Sequence, residues 1–132
     1  MTDKGYNLQL KRVRALKKKW FSKLGMGWWK IDINYYDIPR KADLKTAYSP
    51  KIMNGYWESA MVTCCDPFYL TASIEVYTPI IKNMSDEELE ETFLHECMHI
   101  FLSPMHAQKT ADQEEQVATR LARAFIWSTK NE

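Results

Sequence analysis

The sequence predicts an α+β fold in which an N-terminal helix precedes a small antiparallel or mixed sheet of three to four strands, followed by two further helices. Apolar residues recur at helical spacing in residues 7–24, 86–102 and 110–127. Between the first two of these segments the chain is rich in β-branched and aromatic residues with partial alternation. A length of 132 residues suits one core, so residues 1–132 are expected to form a single domain.

The first helix combines an apolar stripe with a basic face. Gly25 and Gly27 follow it, and glycine is common just past the end of a helix. The apolar stripe consists of Leu10, Val13, Leu16, Trp20 and Leu24. Most of the remaining surface is formed by Lys11, Arg12, Arg14, Lys17, Lys18, Lys19 and Lys23.

Charge is unevenly distributed, although the net charge is only +1. Residues 1–51 carry 13 Lys and Arg against 4 Asp and Glu, and residues 52–132 carry 5 against 13. The interpretation we favour is that the basic helix has a solvated face and that the two halves are neighbours in the fold. The alternative is contact with nucleic-acid phosphates without base reading. The side chains available for it are Lys11, Arg12, Arg14, Lys17, Lys18 and Lys19.

Three strands are predicted between the first and second helices. Residues 28–35 and 56–63 are two runs rich in aromatic and β-branched side chains, and residues 69–77 alternate most regularly. A short extended piece is expected near residues 44–48, and a turn at residues 51–55. The apolar positions of the third strand are Leu70, Ala72, Ile74 and Val76.

The second helix, residues 86–102, has a strong N-terminal signal. Ser85 with Glu88 three residues later forms a capping box, and the acidic first turn suits the positive end of the helix dipole. Pro104 is expected to end the helix. The third helix is expected over residues 110–127, after a similar polar start.

The cysteines and the N-terminus bear on the cellular compartment. Three cysteines occur without a C-x-x-C spacing, so we expect reduced thiols and no cysteine-built zinc site. No apolar run is long enough for a membrane span, and no signal-peptide core follows the charged N-terminal residues. We therefore expect a cytoplasmic protein.

The pentapeptide His95-Glu96-Cys97-Met98-His99 contains two of only three histidines in the chain. Histidines four apart project from the same side of a helix, so both imidazoles can bind one metal ion. Glu96 then points toward the open side of the ion and can act as a general base. Cys97 lies on the opposite side of the helix and is expected to be a small buried residue. The alternative is a buried helix that contains two histidines by chance.

A catalytic zinc ion usually takes three protein ligands and keeps one position for water, so a third ligand must come from elsewhere. The metzincin arrangement is excluded, because Leu102 and Met105 occupy its glycine and third-histidine positions. His106 comes one residue too late, and Pro104 interrupts the segment.

A glutamate on the last helix is the other source of a third ligand. Glu115 is placed on one helical face with Ala118 and Ala122, whose small side chains would let this helix approach the histidine pair closely. Glu114 points about a third of a turn away and is the second choice. A plain surface glutamate remains the alternative for each.

This combination of motifs resembles the gluzincin class of HExxH zinc metallopeptidases. In size and order of elements the chain is similar to minimal zincin-like members, small phage or bacterial proteins of the ImmA/IrrE-like and SprT-like groups. The resemblance covers roughly residues 56–127. The chain departs from it at Val117 and Thr119, where many relatives carry acidic or amide residues. The residues that carry the resemblance are His95, Glu96, His99, Glu115, Ala118, Leu121 and Ala122.

The resemblance implies a zinc-dependent peptidase, a hydrolase of protein or peptide substrates. His95, His99 and Glu115 would hold one zinc ion. Glu96 would take the proton of the metal-bound water and later pass it to the leaving amine. Zincins commonly pair the substrate backbone with a sheet edge, and the strand predicted at residues 69–77 is the expected partner.

Two questions stay open at the level of sequence. A tetrahedral intermediate needs a donor for its negative charge, and His106, Tyr77 and Tyr69 are the candidates, although His106 also reads as a plain loop residue. The chain could also be a zinc-binding interaction module without peptidase activity, associated with nucleic acid through the basic helix. Glu96 favours the peptidase, because a structural zinc site needs no base.

Overall fold

A computed structural model describes residues 2–27, 29–37, 52–53, 56–57, 60–66, 69–103 and 111–131. It confirms the α+β fold, with a three-stranded mixed sheet between an N-terminal and a C-terminal helix. The helices are α1 (Asp3–Lys23), α2 (Thr78–Ile81), α3 (Asp86–Leu102) and α4 (Ala111–Lys130). The strands are β1 (Lys30–Tyr36), β2 (Ile52–Met53), β3 (Tyr56–Trp57), β4 (Met61–Asp66) and β5 (Thr71–Tyr77).

The main sheet has the order β1-β5-β4. Ile74 in the central strand lies opposite Ile33 of β1 in a parallel pair and opposite Thr63 of β4 in an antiparallel pair. Alternate residues of β5 are buried, including Ala72 and Ile74, so one face of the sheet covers the core. β2 and β3 form a separate two-stranded antiparallel sheet.

Several predicted strand boundaries are wrong. β5 begins at Thr71, because Leu70 has a φ of 55° in the left-handed region, which ends extended backbone. The run predicted at residues 56–63 is two strands, β3 and a later-ending β4, and the turn predicted at 51–55 includes β2. After β5, Pro79 lies in the first turn of α2, where a backbone N–H would have no partner within the helix. The extended piece predicted at residues 44–48 lies outside the described residues.

Helix α3 is the centre of the core and has the predicted bounds. The Ser85 hydroxyl accepts a hydrogen bond from the Glu88 N–H at 3.1 Å, which confirms the N-terminal cap. Cys97 is fully buried, as predicted. On α4, Ala118 and Ala122 are fully buried against α3, so small side chains let these two helices pack closely. Within the described ranges, no helix is long and apolar enough to cross a membrane.

The guanidinium of Arg12 ties α1 to the turn that enters α3. It donates to the carbonyl oxygens of Ile81 at 3.0 Å and Met84 at 2.7 Å, and to Asp86 Oδ1 at 3.0 Å. Lys19 is similarly engaged, with its ammonium 2.8 Å from Glu90 Oε2. Two of the six cations considered for nucleic-acid contact are therefore committed to contacts inside the fold.

We expect Arg12→Ala to lower the free energy of unfolding by about 2 kcal/mol, because it removes the charge-assisted hydrogen bonds that the guanidinium donates to the carbonyl oxygens of Ile81 and Met84. Urea denaturation measures the change. Lys11→Ala, one position earlier on an exposed part of α1, is the matched control and should have little effect. Equal stability of the two variants would contradict the structural role of Arg12.

Candidate metal centre

The two histidines of the pentapeptide converge on one face of α3. Their Nε2 atoms lie 3.0 Å apart, and their rings meet edge to face with centroids 4.7 Å apart. One helical turn separates them, so this approach follows from the four-residue spacing. The neighbouring Thr92 and His95 also line a groove of about 410 Å³ that extends along α3 past Glu88.

Helix α4 brings Glu115 to this pair. Its Oε2 lies 2.9 Å from His95 Nε2, and its Oε1 lies 3.0 Å from His99 Nε2. One ligand atom from each of the three residues lies within 4.8 Å of the others, a separation that one metal ion can bridge. The structure therefore brings together His95, His99 and Glu115, the three residues predicted from the sequence as metal ligands.

Glu114, the second choice for a ligand, has a different position. It is 5% exposed, and its Oε1 lies 2.7 Å from Nδ1 of His99, on the side of the ring away from Glu115. A carboxylate only accepts, so the Nδ1–H of His99 donates to it and Nε2 is left to face the site. Thr119 Oγ1 lies 3.1 Å from Nδ1 of His95 in the corresponding place. Thr119, one of the two positions at which the chain departs from the zincin pattern, thus contacts the His95 ring.

The helical repeat explains why this role of Glu114 was missed. Glu114, Ala118 and Ala122 are spaced by four residues and form the buried stripe of α4, whereas the side chain of Glu115 is 58% exposed. The spacing predicts Glu115 on the alanine face, but in the structure Glu114 lies there. A strict four-residue repeat counted back from Ala122 would have identified Glu114 as the buried glutamate.

Glu96 lies beside the histidines but outside the ligand group. It is 8% exposed, and the Thr63 hydroxyl donates to its Oε2 at 2.5 Å. Burial raises the pKa of Glu96, while the hydrogen bond from Thr63 and the nearby histidines lower it in part. The sequence does not identify Thr63, because which side chain of its strand faces Glu96 depends on a strand register that the sequence does not give.

Hydrogen bonding sets the charges of the metal-free centre. Burial alone would lower the pKa of His99, but its hydrogen bonds with Glu115 and Glu114 outweigh burial and raise that pKa to about 9. Hydrogen bonds from His95 and His99 hold the pKa of Glu115 well below its usual range. At neutral pH the metal-free centre therefore contains a protonated His99 and ionised Glu115.

We expect zinc binding at pH 7 to release about one proton from His99, so that zinc affinity rises with pH up to about pH 9. Titration calorimetry in buffers of different ionisation enthalpy measures the released proton. Release of no proton at pH 7 would contradict this assignment of charge.

The stability of the metal-free protein should fall as pH rises, whereas zinc affinity rises. The pKa of His99 is higher in the folded state, about 9, than in the unfolded chain, about 6.5, so its stabilising contribution is complete below pH 6.5 and is lost by pH 9. Metal-free His99→Gln is the control and should lose this part of the pH dependence.

Two of the three residues considered for charge stabilisation, Tyr77 and Tyr69, are not brought to the centre. The Tyr77 hydroxyl donates to Glu75 Oε2 at 2.6 Å, on the face of β5 opposite Ile74 and therefore away from α3. Tyr69 is 79% exposed in the turn before β5. His106 lies outside the described residues. The strand expected to pair with substrate, β5, is internal and already paired on both sides, so that expectation is wrong.

Comparison of the chain with family models, curated proteins and solved structures finds no match. The resemblance to gluzincins therefore rests on the sequence motifs alone. Two imidazole nitrogens and one carboxylate oxygen are a donor set that zinc commonly takes in catalytic sites. Both Nδ1 atoms are already hydrogen-bonded, so the residues present fit a zinc ion bound through Nε2.

Proposed function

We propose that this chain is a zinc-dependent peptidase in which His95, His99 and Glu115 bind one zinc ion and Glu96 is the general base. The main support is the convergence of three ligand atoms beside a buried carboxylate that is not one of them. A structural zinc site would gain nothing from such a carboxylate, since its four positions are filled by protein ligands.

In the proposed hydrolysis, one residue transfers the proton and two others orient the histidines. A zinc ion bound there would act as a Lewis acid that lowers the pKa of its bound water and polarises the carbonyl group of the substrate. Glu96 takes the proton from the attacking water and donates it to the leaving amine. Glu114 and Thr119 fix the orientation of the two imidazole rings through Nδ1.

The edge strand β4 is the place where an extended substrate would pair. The Tyr77 N–H donates to the Ala60 carbonyl at 2.9 Å, and hydrogen-bonded pairs alternate along an antiparallel ladder. The backbone N–H and C=O of Thr63 therefore point away from β5, toward the outer side of the sheet. In the part of the chain that the structure describes, no strand pairs with that side. A peptide added there lies beside Glu96, and the groove next to His95 offers space for its side chains.

The second candidate is a zinc-binding interaction module without peptidase activity that contacts nucleic acid. The exposed Lys11, Lys17 and Lys18 on α1 favour it, since they could neutralise phosphates. This second candidate predicts that the protein binds duplex DNA and that binding weakens steeply as the salt concentration rises. Simultaneous replacement of Lys11, Lys17 and Lys18 by Gln should reduce that binding. We also propose a cytoplasmic location, supported by three free cysteines.

The proposed function is tested by metal content and cleavage together. The purified protein should contain one zinc ion per chain. It should cleave labelled casein or members of a fluorophore-quenched peptide library, lose this activity to a chelator and regain it with zinc. Absence of zinc would exclude the metal centre, and bound zinc without cleavage of any probe would favour the interaction module.

A further inference from the structure

We propose that Thr63 is a positioning residue that holds Glu96 in place for proton transfer, an inference that rests on the proposed peptidase function. Its hydroxyl donates to Glu96 Oε2 at 2.5 Å, and the glutamate is more than nine-tenths buried. A buried carboxylate needs such a partner, because it otherwise loses the hydrogen bonds that water would provide.

The register of β4 directs this hydroxyl at α3. Thr63 lies opposite Ile74, whose side chain is fully buried on the helix-facing side of the sheet. The exposed Cys64 points to the other face, as the alternation of side chains along a strand requires. A slip of one residue would replace the hydroxyl by Val62 or Cys64 and leave Glu96 without this donor.

The contact has a geometric consequence for a base. It uses Oε2 and so restricts rotation of the carboxylate, which leaves Oε1 as the oxygen for proton transfer. A flexible glutamate would spend much of its time in orientations that cannot react.

Thr63 also joins the base to the strand edge described above. Its backbone N–H and C=O point to the outer side of β4, while its side chain contacts Glu96. A substrate paired at Thr63 would therefore be placed against the same residue that orients the base. Thr63 alone would then determine the distance between the paired peptide and Glu96, because its backbone contacts the peptide and its side chain contacts the glutamate.

The test compares Thr63→Val, which keeps the shape of the side chain, with Thr63→Ser, which keeps the hydroxyl. Cys64→Val, on the other face of β4, is the matched control. Readouts are zinc content, kcat and KM for the library peptide cleaved fastest, and the ¹³C carboxyl resonance of Glu96 in the zinc-loaded protein. Loss of that resonance in Glu96→Gln assigns it.

We expect Thr63→Val to retain zinc and KM but to lower kcat by roughly 10- to 100-fold, as for other hydrogen-bond partners of site residues. Its Glu96 resonance should shift, and Thr63→Ser should restore both kcat and resonance. Wild-type kcat in Thr63→Val, or zinc loss from it, overturns the inference, as does an equal fall in kcat in Thr63→Val and Thr63→Ser. A wild-type protein without cleavage, or an active Glu96→Gln, instead overturns the proposed function.

Discussion

Glu115→Gln is expected to lose its zinc, whereas Glu114→Gln is expected to keep it with weaker affinity. Glu115 presents both carboxylate oxygens to the Nε2 atoms of His95 and His99. Replacement by a neutral amide removes the only anionic group among the three proposed ligands. Glu114 instead contacts His99 Nδ1. Its loss should reduce affinity by roughly 10- to 100-fold, as outer partners of metal-binding histidines typically do, and Glu115→Gln should cost more.

The pair is a stringent comparison, because the same substitution is made at adjacent positions of one helix. Competition with a chromophoric chelator measures both affinities. Glu87→Gln, on the exposed first turn of α3, is the control for a loss of negative charge at the surface. Zinc loss from Glu114→Gln but not from Glu115→Gln would reverse the ligand assignment.

Glu96→Gln is expected to bind zinc normally but to cleave peptide probes roughly 10²- to 10⁴-fold more slowly, the usual contribution of a general base. The glutamine has nearly the same shape, and its amide oxygen can still accept from Thr63, so the fold should be preserved. What it lacks is the ability to take a proton from water. Single-turnover cleavage with zinc-loaded protein measures the loss.

Two outcomes would contradict this role of Glu96. Unchanged turnover would exclude Glu96 as the base, and zinc loss would make it part of the metal centre rather than of the proton transfer. Circular dichroism and the zinc content of Glu96→Gln separate these cases from simple unfolding. Glu87→Gln again controls for charge.

The sequence predicted most reliably what depends on neighbours along the chain. Helix α3 has the predicted bounds, because Ser85 caps its start and Pro104 follows its end. The spacing of His95 and His99 determines their side-by-side arrangement on any helix. The alanines of α4 correctly predicted a close approach of α3 and α4, although Glu114 rather than Glu115 shares their buried stripe.

What the sequence did not predict depends on long-range pairing. The parallel pairing of β1 with β5, and hence the edge position of β4, arises from contacts between segments far apart in the chain. Without that order, neither the donor to Glu96 nor the correct edge strand could be chosen. Leu70 interrupts an alternation that is regular in sequence, because its backbone is left-handed. The burial of Glu114, in contrast, could have been predicted from the sequence, because it follows from the four-residue repeat with Ala118 and Ala122 within one helix.

The division of the proposed ligands between α3 and α4 would link metal binding to the conformational entropy of the chain. His99 and Glu115 are separated by fifteen residues, so an ion bound to both closes a loop that an unfolded chain would have to close at an entropic cost. No single helix can assemble the whole ligand set, and the unfolded chain offers the ion no preformed site. Any free energy of zinc binding at this centre would therefore also be free energy of folding, because the ion would hold the C-terminal helix against α3.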